Sequence, residues 1–307
     1  MPSLKALRKR ITTVRSTQQI TKAMKMVAAA KLRRAQESAE RARPYATKLT
    51  ELFTAVAAGI EPEAHPLLAR REERRVDLLV LSSDRGLCGG YNANVIRAAE
   101  RALRAEVAQG REYSLVLVGR KAVSYFRYRH YRIDAAFEGM SDQPTYENAR
   151  QVAQAVLTPF ENGEVDQVQL VYTQFLSVGT QRVLVRRLMP LDTGALADTR
   201  EGEATADYEY EPEPGEILAR LLPRYVEARI YAAMLDAAAS EHAARQRAMK
   251  AATDNAEDLI VRLTRAMNRA RQDSITTEIM EIVGGAEALR KGKKPVEVSA
   301  NAGYEEE

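Results

Sequence analysis

Two stretches of this chain lack glycine and proline, and their lengths constrain the fold. Residues 3–43 contain neither residue type, and neither do residues 224–283. Glycine and proline most often interrupt regular structure, so uninterrupted stretches of this length favour long helices. At about 1.5 Å per residue, these helices would span roughly 60 Å and 90 Å. We therefore expect elements too long for an ordinary compact domain.

The N-terminal stretch carries an apolar stripe with helical spacing. Its apolar residues recur every three or four positions, with a change of phase before Ile20: Leu4, Leu7, Ile11, Val14, Ile20, Met24 and Val27. This spacing predicts an amphipathic helix. Pro44 is expected to bend the helix, which should continue to Gly59.

The C-terminal stretch has a longer, alanine-rich stripe. Its members alternate between spacings of three and four: Ala228, Ala232, Leu235, Ala239, His242, Gln246, Met249, Ala252, Ala256, Leu259, Leu263, Ala266 and Ala270. This heptad pattern predicts a coiled coil, with one three-residue slip near Met249 that should overwind it locally. Gly284 and Gly285 are predicted to end the helix.

Each long helix needs a surface on which to bury its stripe. Because the middle of the chain separates the two helices in sequence, an antiparallel pair is the favoured arrangement. The C-terminal helix is the longer one, so one end should be a single helix. That end presents Ile275, Ile279 and Ile282 on one face and should need a partner.

The middle of the chain has the pattern of a Rossmann-like α/β domain. Strand-like and helical stretches alternate there, which predicts a mostly parallel five-stranded sheet with an antiparallel final pair. The predicted strands are Val76–Ser82, Leu115–Val118, Tyr131–Phe137, Val165–Tyr172 and Gln181–Leu188. The predicted domains are an N-terminal coiled-coil helix (1–58), the α/β domain (75–195), an acidic linker (196–216), a C-terminal coiled-coil helix (217–287) and a disordered tail (288–307).

Charge and cysteine content narrow the class of protein. Residues 3–43 hold twelve Lys or Arg and two acids, whereas residues 201–216 hold seven acids and no base. This asymmetry suggests an acidic partner for the N-terminal helix. Nucleic acid is disfavoured, because aromatic residues for base stacking are not interleaved with these basic residues. The single Cys88 permits no disulfide within the chain, and no apolar run is long enough for a transmembrane helix.

Three features could indicate chemistry, and each also has a structural interpretation. The glycine-rich stretch Asp84–Gly90 follows a predicted strand and could cradle phosphate, but it lacks the known nucleotide-binding spacings, so a tight turn is favoured. Cys88 has no histidine near it in sequence and is better interpreted as a small buried residue. His242 has no second metal ligand one turn further along, so a packed histidine is favoured and no metal or cofactor is predicted.

Specific motifs resemble the gamma subunits of F-type ATP synthases of the bacterial type. Residues 10–34 (RITTVRSTQQITKAMKMVAAAKLRR) resemble that family's N-terminal helix, and residues 247–288 resemble its C-terminal helix, including the signature from Ile275 to Ala286. The stretch SSDRGLCGGYNAN at 82–94 and GRKA at 119–122 are similar to the family's central domain. The resemblance covers nearly the whole chain.

The resemblance implies a central rotor shaft with no catalytic residues of its own. Its implied partners are the ring of alpha and beta subunits, the epsilon subunit and the c-ring, on the cytoplasmic face of the bacterial plasma membrane, as a peripheral protein. Proton flow would turn the shaft and drive ATP synthesis at the beta sites. The positions matched to beta-subunit contacts are Met24, Lys25, Arg245, Arg271, Gln272, Thr276, Glu278 and Glu281.

The chain departs from the family pattern in two places. It extends past the usual ending near Leu289, and it lacks the cysteine-pair segment of the chloroplast form. Two alternatives to the rotor remain at this stage. One is a non-rotary coiled-coil adaptor, and the other is an enzyme that uses the glycine-rich loop at Gly86–Gly90.

Overall fold

The computed structural model describes residues 3–57, 65–191 and 214–292 in two compact units. The first unit comprises residues 1–20 and 252–307, and the second comprises residues 21–251. Two long helices, α1 (Leu4–Ala57) and α5 (Pro214–Gly292), contribute residues to both units. The predicted acidic linker and tail lie largely outside the described residues, at 192–213 and 293–307.

The second unit contains a five-stranded sheet flanked by three helices. The strands are β1 (Arg75–Leu81), β2 (Glu112–Val118), β3 (Ile133–Phe137), β4 (Gln167–Phe175) and β5 (Gln181–Met189), and the helices are α2 (Tyr91–Ala108), α3 (Arg120–Tyr128) and α4 (Tyr146–Glu161). The strand order is β3-β2-β1-β4-β5, with only the β4–β5 pair antiparallel. The predicted mostly parallel sheet is confirmed.

Each face of the sheet is covered by its own apolar cluster. On one face, α2 and α3 pack against the strands through residues such as Val95, Leu103 and Phe126, which are buried. On the other face, α4 and parts of α1 and α5 form the larger cluster, in which Phe53 stacks on Tyr225 with ring centroids 4.8 Å apart. The long helices are therefore anchored to the α/β domain through the core of this unit.

The predicted antiparallel pairing of α1 and α5 is visible within the second unit. Leu32 and Ala35 pack with Ala239 and Ala243, whereas Phe53, further along α1, meets Tyr225, which comes earlier on α5. In the first unit, Leu7 and Ile11 of α1 bury Leu263 of α5 between them, with Val14, Met267 and Ala270 at the edge of the cluster.

The predicted stripes were wrong at five positions. Ile20 and Val27 of α1 are 57% and 56% exposed, and on α5 Leu259 is 37% exposed and Ala232 and Ala266 are exposed as well. The buried positions on α1 include Thr21 and Ala28 instead, and on α5 the half-buried Ile260 and Met267 follow Ala256 at heptad spacing. If the half-buried Thr253 takes the place of the equally half-buried Ala252, the α5 heptad needs no slip near Met249.

The predicted ends of α5 were also wrong. The helix begins at Pro214, inside the predicted linker, and continues through Gly284 and Gly285 to Gly292. Two exposed glycines cost about 2 kcal/mol relative to alanine, and the good helix formers Ala286, Glu287 and Ala288 follow directly. Residues 288–292 of the predicted disordered tail are therefore helical. The isoleucine face is exposed as predicted, at 46% for Ile275, 54% for Ile279 and 72% for Ile282.

Candidate functional site

A rigid loop between β1 and α2 forms one wall of the candidate site in the second unit. Asp84 fixes this loop, because its carboxylate accepts hydrogen bonds from the backbone N–H groups of Arg120 at 3.0 Å and Ser141 at 3.1 Å. Burial opposes ionisation of Asp84, but these backbone hydrogen bonds outweigh it and lower its pKa. The loop is held as a fixed structural element between α3 and the segment after β3.

The tip of this loop exposes one large apolar side chain. Leu87 has a φ of 63° and is 63% exposed, and Gly89, two residues later, also has a positive φ. A non-glycine residue in this region of backbone space carries strain that the surrounding structure must hold in place. Cys88, by contrast, is buried, and burial raises the pKa of its thiol. The thiol is therefore placed as a packed residue and not as a nucleophile.

Opposite the loop, α5 presents three buried polar residues within little more than one helical turn. The guanidinium of Arg245 donates to Glu241 Oε1 at 2.6 Å and to the carbonyl oxygen of Gly86 at 3.2 Å. His242 lies between Arg245 and the segment after β3, with Nδ1 3.3 Å from Arg245 Nη1 and Nε2 3.1 Å from the carbonyl oxygen of Asp142. The Asp142 carboxylate in turn forms an ion pair with Lys31 of α1. This cluster joins both long helices to the α/β domain.

The cluster fixes the protonation state of His242. A guanidinium has only donors, so Nδ1 of His242 must accept from Arg245, and Nε2 must then carry the proton and donate to Asp142. Burial disfavours the charged imidazole and lowers the pKa of His242, which also favours the neutral form. Burial also raises the pKa of Glu241 to about 7, against the opposing effect of Arg245. The histidine is thus a neutral connector, as the packed-histidine interpretation expected.

A cavity of about 440 Å³ opens beside this cluster. Its apolar wall is formed by Met24, Val27 and Leu87, and its basic wall by Lys31, Arg85 and Arg245. Asp142 is the only acidic residue among the described residues that line it. An apolar wall next to a surplus of cationic side chains suits an acidic, partly apolar protein segment.

The structure brings together two of the three predicted contact residues of the second unit. Met24 and Arg245 both line the cavity, whereas Lys25 is half-buried on α1 and does not line it. Arg245 is only 8% exposed, and its guanidinium is held within the chain. Sequence reasoning missed Leu87, Arg85 and Lys31. A large apolar residue inside a glycine-rich loop was the available signal for Leu87.

The other five predicted residues lie in the first unit. Arg271, Gln272, Thr276, Glu278 and Glu281 are all exposed on the C-terminal turns of α5. They flank the exposed isoleucine face and include both charge signs. Within the described residues, one side-chain hydrogen bond involves this set, from Ser274 Oγ to Glu278 Oε1, at 3.4 Å. These side chains are therefore open to a partner.

The described residues contain no cluster of three or more side chains suited to hold a metal ion. Over the same residues, no helix is both long and apolar enough to cross a lipid bilayer.

Comparison with known proteins gives one consistent family. A family model described as ATP synthase matches residues 3–289. The chain is 48% identical over 290 residues to a protein of Moorella thermoacetica, a match that covers 94% of this chain and 100% of the relative. It is 47% identical over 294 residues to a protein of Parafrankia sp., covering 94% and 98% respectively. Both relatives are named ATP synthase gamma chain.

Solved structures give the same result. A chain from the central stalk and c-ring of the Tetrahymena thermophila mitochondrial ATP synthase matches with a TM-score of 0.58 and 26% identity, covering 76% of this chain and 99% of that one. A chain from the OSCP, F1 and c-ring structure of the Euglena gracilis mitochondrial ATP synthase gives a TM-score of 0.66 over 98% of this chain and 99% of that one. At 20% identity, the second match shows the fold alone.

Proposed function

This chain belongs to the ATP synthase gamma-chain family, and from that membership we propose that it is the central rotor shaft of a bacterial F-type ATP synthase. It links the c-ring to the ring of alpha and beta subunits, with the epsilon subunit bound alongside. Proton flow turns it, and its rotation changes the conformation of the catalytic beta sites. ATP is made or hydrolysed at those sites, and this chain supplies no catalytic residue.

The observation that carries the proposal is the firm attachment of two long paired helices to the α/β domain. Torque is transmitted only if the shaft cannot swivel on its base. In the second unit, the core cluster around Phe53 and Tyr225 and the polar cluster around Arg245 attach both helices to the sheet domain. Buried polar networks with every partner in place rigidify a structure, which suits this role.

The faces of the shaft differ, and we propose that the beta subunits read this difference. The cavity beside Met24 and Leu87 has a basic wall and would receive an acidic segment of a beta subunit. The exposed set on α5, from Arg271 to Glu281, would make polar contacts with beta loops, and the isoleucine face would sit in an apolar bearing. Because each orientation presents a different surface, each gives a different free energy with a given beta site. Lys25 and Arg245 would support these contacts from neighbouring positions. Arg245 would do so by holding the loop that carries Leu87.

Membership in the family supports a position at the membrane, and none of the helices in the described residues could span it. We propose that it lies on the cytoplasmic face of the bacterial plasma membrane, held there by its contact with the c-ring. The complex then transports the protons, and this chain couples that transport to ATP chemistry.

Rotation of a reconstituted complex tests the proposal. Cys88 is buried and is a poor attachment point for a bead, so the test uses Cys88→Ser with Ser124→Cys, an exposed position on α3. With alpha and beta subunits from the same source, the bead should turn in one direction when ATP is supplied. Equal ATP hydrolysis with and without this chain, together with a stationary bead, would favour the non-rotary adaptor instead.

The contact residues are tested in the same complex. Arg271→Ala with Gln272→Ala should lower the rate of ATP hydrolysis by about fivefold or more, because two polar contacts of about 0.5–1.5 kcal/mol each are lost. Arg220→Ala is the matched control, since Arg220 is exposed on the same helix and belongs to neither contact set. An equal effect of both changes would contradict the assignment of Arg271 and Gln272.

A further inference from the structure

A second cavity in the α/β unit is not used by the contacts described above. It has a volume of about 510 Å³ and opens at the N-terminal end of α2. Its walls come from the α2 start at Gly89 and Gly90, from Thr173 and Thr180 of the β4–β5 hairpin, and from Arg247 of α5. Cavities of this size fit small-molecule ligands.

The helix end at this cavity has a free hydrogen-bond donor. Gly90 is the N-cap of α2 and supplies no side-chain cap. Among the described residues, the backbone N–H group of Ala93 has no acceptor, whereas that of Asn92 faces the Cys88 sulfur and that of Asn94 donates to the carbonyl oxygen of Gly90 at 2.9 Å. The open N–H group and the helix dipole together favour a negatively charged group at this position.

A buried hydroxyl provides an independent indication of a ligand. Thr173 is 4% exposed, and its Oγ1 has no hydrogen-bond partner in the part of the chain that the structure describes. Thr173 pairs directly with Val183 across the β4–β5 ladder, so both side chains lie on the same face, and both line the cavity. Buried hydroxyls are nearly always paired in proteins, and an acceptor atom from a ligand would satisfy this one.

The charge at the cavity is positive. Among the described residues that line it, Arg247 is the only charged side chain. Its guanidinium is held at the cavity by the carbonyl oxygen of Gly179 and by Gln181 Oε1, and a guanidinium has five N–H donors, so donors remain for a ligand. Burial and the nearby Glu241 carboxylate raise the pKa of Tyr91, which also lines the cavity. That carboxylate is itself paired with Arg245.

We propose that this cavity binds a phosphate group, held by the N-terminus of α2, Arg247 and the Thr173 hydroxyl. The glycines Gly89 and Gly90 let the backbone approach such a group closely. The loop lacks the spacing of a nucleotide-binding P-loop, so the recognised part is the phosphate itself, either as the free ion or as part of a small phosphorylated molecule. This site is independent of the rotor function.

Titration of the full chain with inorganic phosphate tests the proposal. Calorimetry should show one saturable site, and the ¹⁵N amide signal of Ala93 should shift on binding. Arg247→Gln should weaken binding by about tenfold or more, because a charged hydrogen bond is lost. Thr173→Val, which keeps the shape of the side chain, should weaken it by about two- to tenfold without lowering stability.

Arg220→Gln is the control, since this exposed arginine on the same helix does not line the cavity. Parallel titrations with ATP and with pyrophosphate identify which phosphate-containing molecule the site prefers. The preferred ligand is the one that binds the wild-type chain most tightly and loses that binding in Arg247→Gln. Absence of saturable binding for all three ligands would overturn the proposal. Binding that Arg247→Gln and Arg220→Gln weaken equally would overturn it as well.

Discussion

Arg245 and Glu241 lie one helical turn apart on α5, and their side chains meet inside the protein, with Nη2 of Arg245 2.6 Å from Oε1 of Glu241. The same guanidinium donates to the carbonyl oxygens of Arg85 and Gly86 at 3.4 Å and 3.2 Å. An interaction within one helix therefore also fixes the loop that carries Leu87. Arg245 was predicted as a partner contact, and the structure gives it a positioning role within the chain.

Removal of Arg245 should be costly. In Arg245→Met, the Glu241 carboxylate and two loop carbonyls lose their partner, so the free energy of unfolding should fall by about 3 kcal/mol or more. Adding Glu241→Gln to that variant should restore part of the loss, because no unpaired charge then remains buried. Urea unfolding at pH 8 measures both. If Arg245→Met lowered the free energy of unfolding no more than the exposed control Arg220→Met does, the stabilising role of the buried Arg245–Glu241 pair would be contradicted.

Asp236 should make stability depend on pH. Burial raises its pKa to about 6, with Arg186 and Arg43 opposing the rise. Since the folded protein holds this proton more tightly than the unfolded chain, stability should fall as pH rises from about 4 to about 6. The loss should be about 2 kcal/mol, because partial solvent contact screens the penalty.

The Asp236→Asn variant isolates this effect from other titrating groups. Unfolding free energies are measured for both proteins at pH 4, 5, 6 and 7. The difference between variant and wild type should grow with pH through the window and level off above it. Parallel curves for the two proteins would mean that Asp236 titrates normally.

The order of strands and helices was predictable because each α/β element has a strong local pattern. β1 is a continuous apolar segment and β4 an alternating one, and their ends were placed within three residues. The phase of the long helices was harder. In an alanine-rich helix, neighbouring positions such as Leu259 and Ile260 are equally apolar, and only the partner helix decides which one is buried.

The polar cluster could not be predicted, because its partners are distant in sequence. Glu241, His242 and Arg245 have the composition of a solvated helix face, yet the structure buries all three. Their burial depends on carbonyl oxygens of Gly86 and Asp142, which lie 159 and 100 residues away. A single sequence contains no local signal for such contacts.

Gly119 should tolerate no side chain. It connects β2 to α3 with a φ of 95°, and an added Cβ would lie 2.3 Å from the carbonyl oxygen of Ser82. Gly119→Ala should therefore lower the free energy of unfolding by about 3 kcal/mol or more, since clash and backbone strain add. Gly110→Ala is the matched control, because Gly110 also has a positive φ, of 77°, but a Cβ added there would meet no described atom within 4 Å beyond its chain neighbours. Its cost should be about 1 kcal/mol, and equal losses in urea unfolding would rule out the clash.

Leu263 and Leu259 test the register of the first unit. Leu263 is 8% exposed and packs on Leu7 and Ile11, whereas Leu259, one turn earlier, is 37% exposed. Leu263→Asp removes apolar contacts and buries a carboxylate, so it should destabilise the helix pair by about 3 kcal/mol or more. Ala256→Glu, at another buried position, should add to the loss.

Hydrogen exchange of the backbone amides around Leu7 and Leu263 reads this effect within the first unit alone. Protection should fall sharply in Leu263→Asp and change little in Leu259→Asp, because the latter side chain can reach solvent. Far-UV circular dichroism on heating should show earlier loss of helix in the first variant only. If Leu259→Asp were as damaging as Leu263→Asp, the register with Leu259 in the seam would be correct and the exposed position of Leu259 would be wrong.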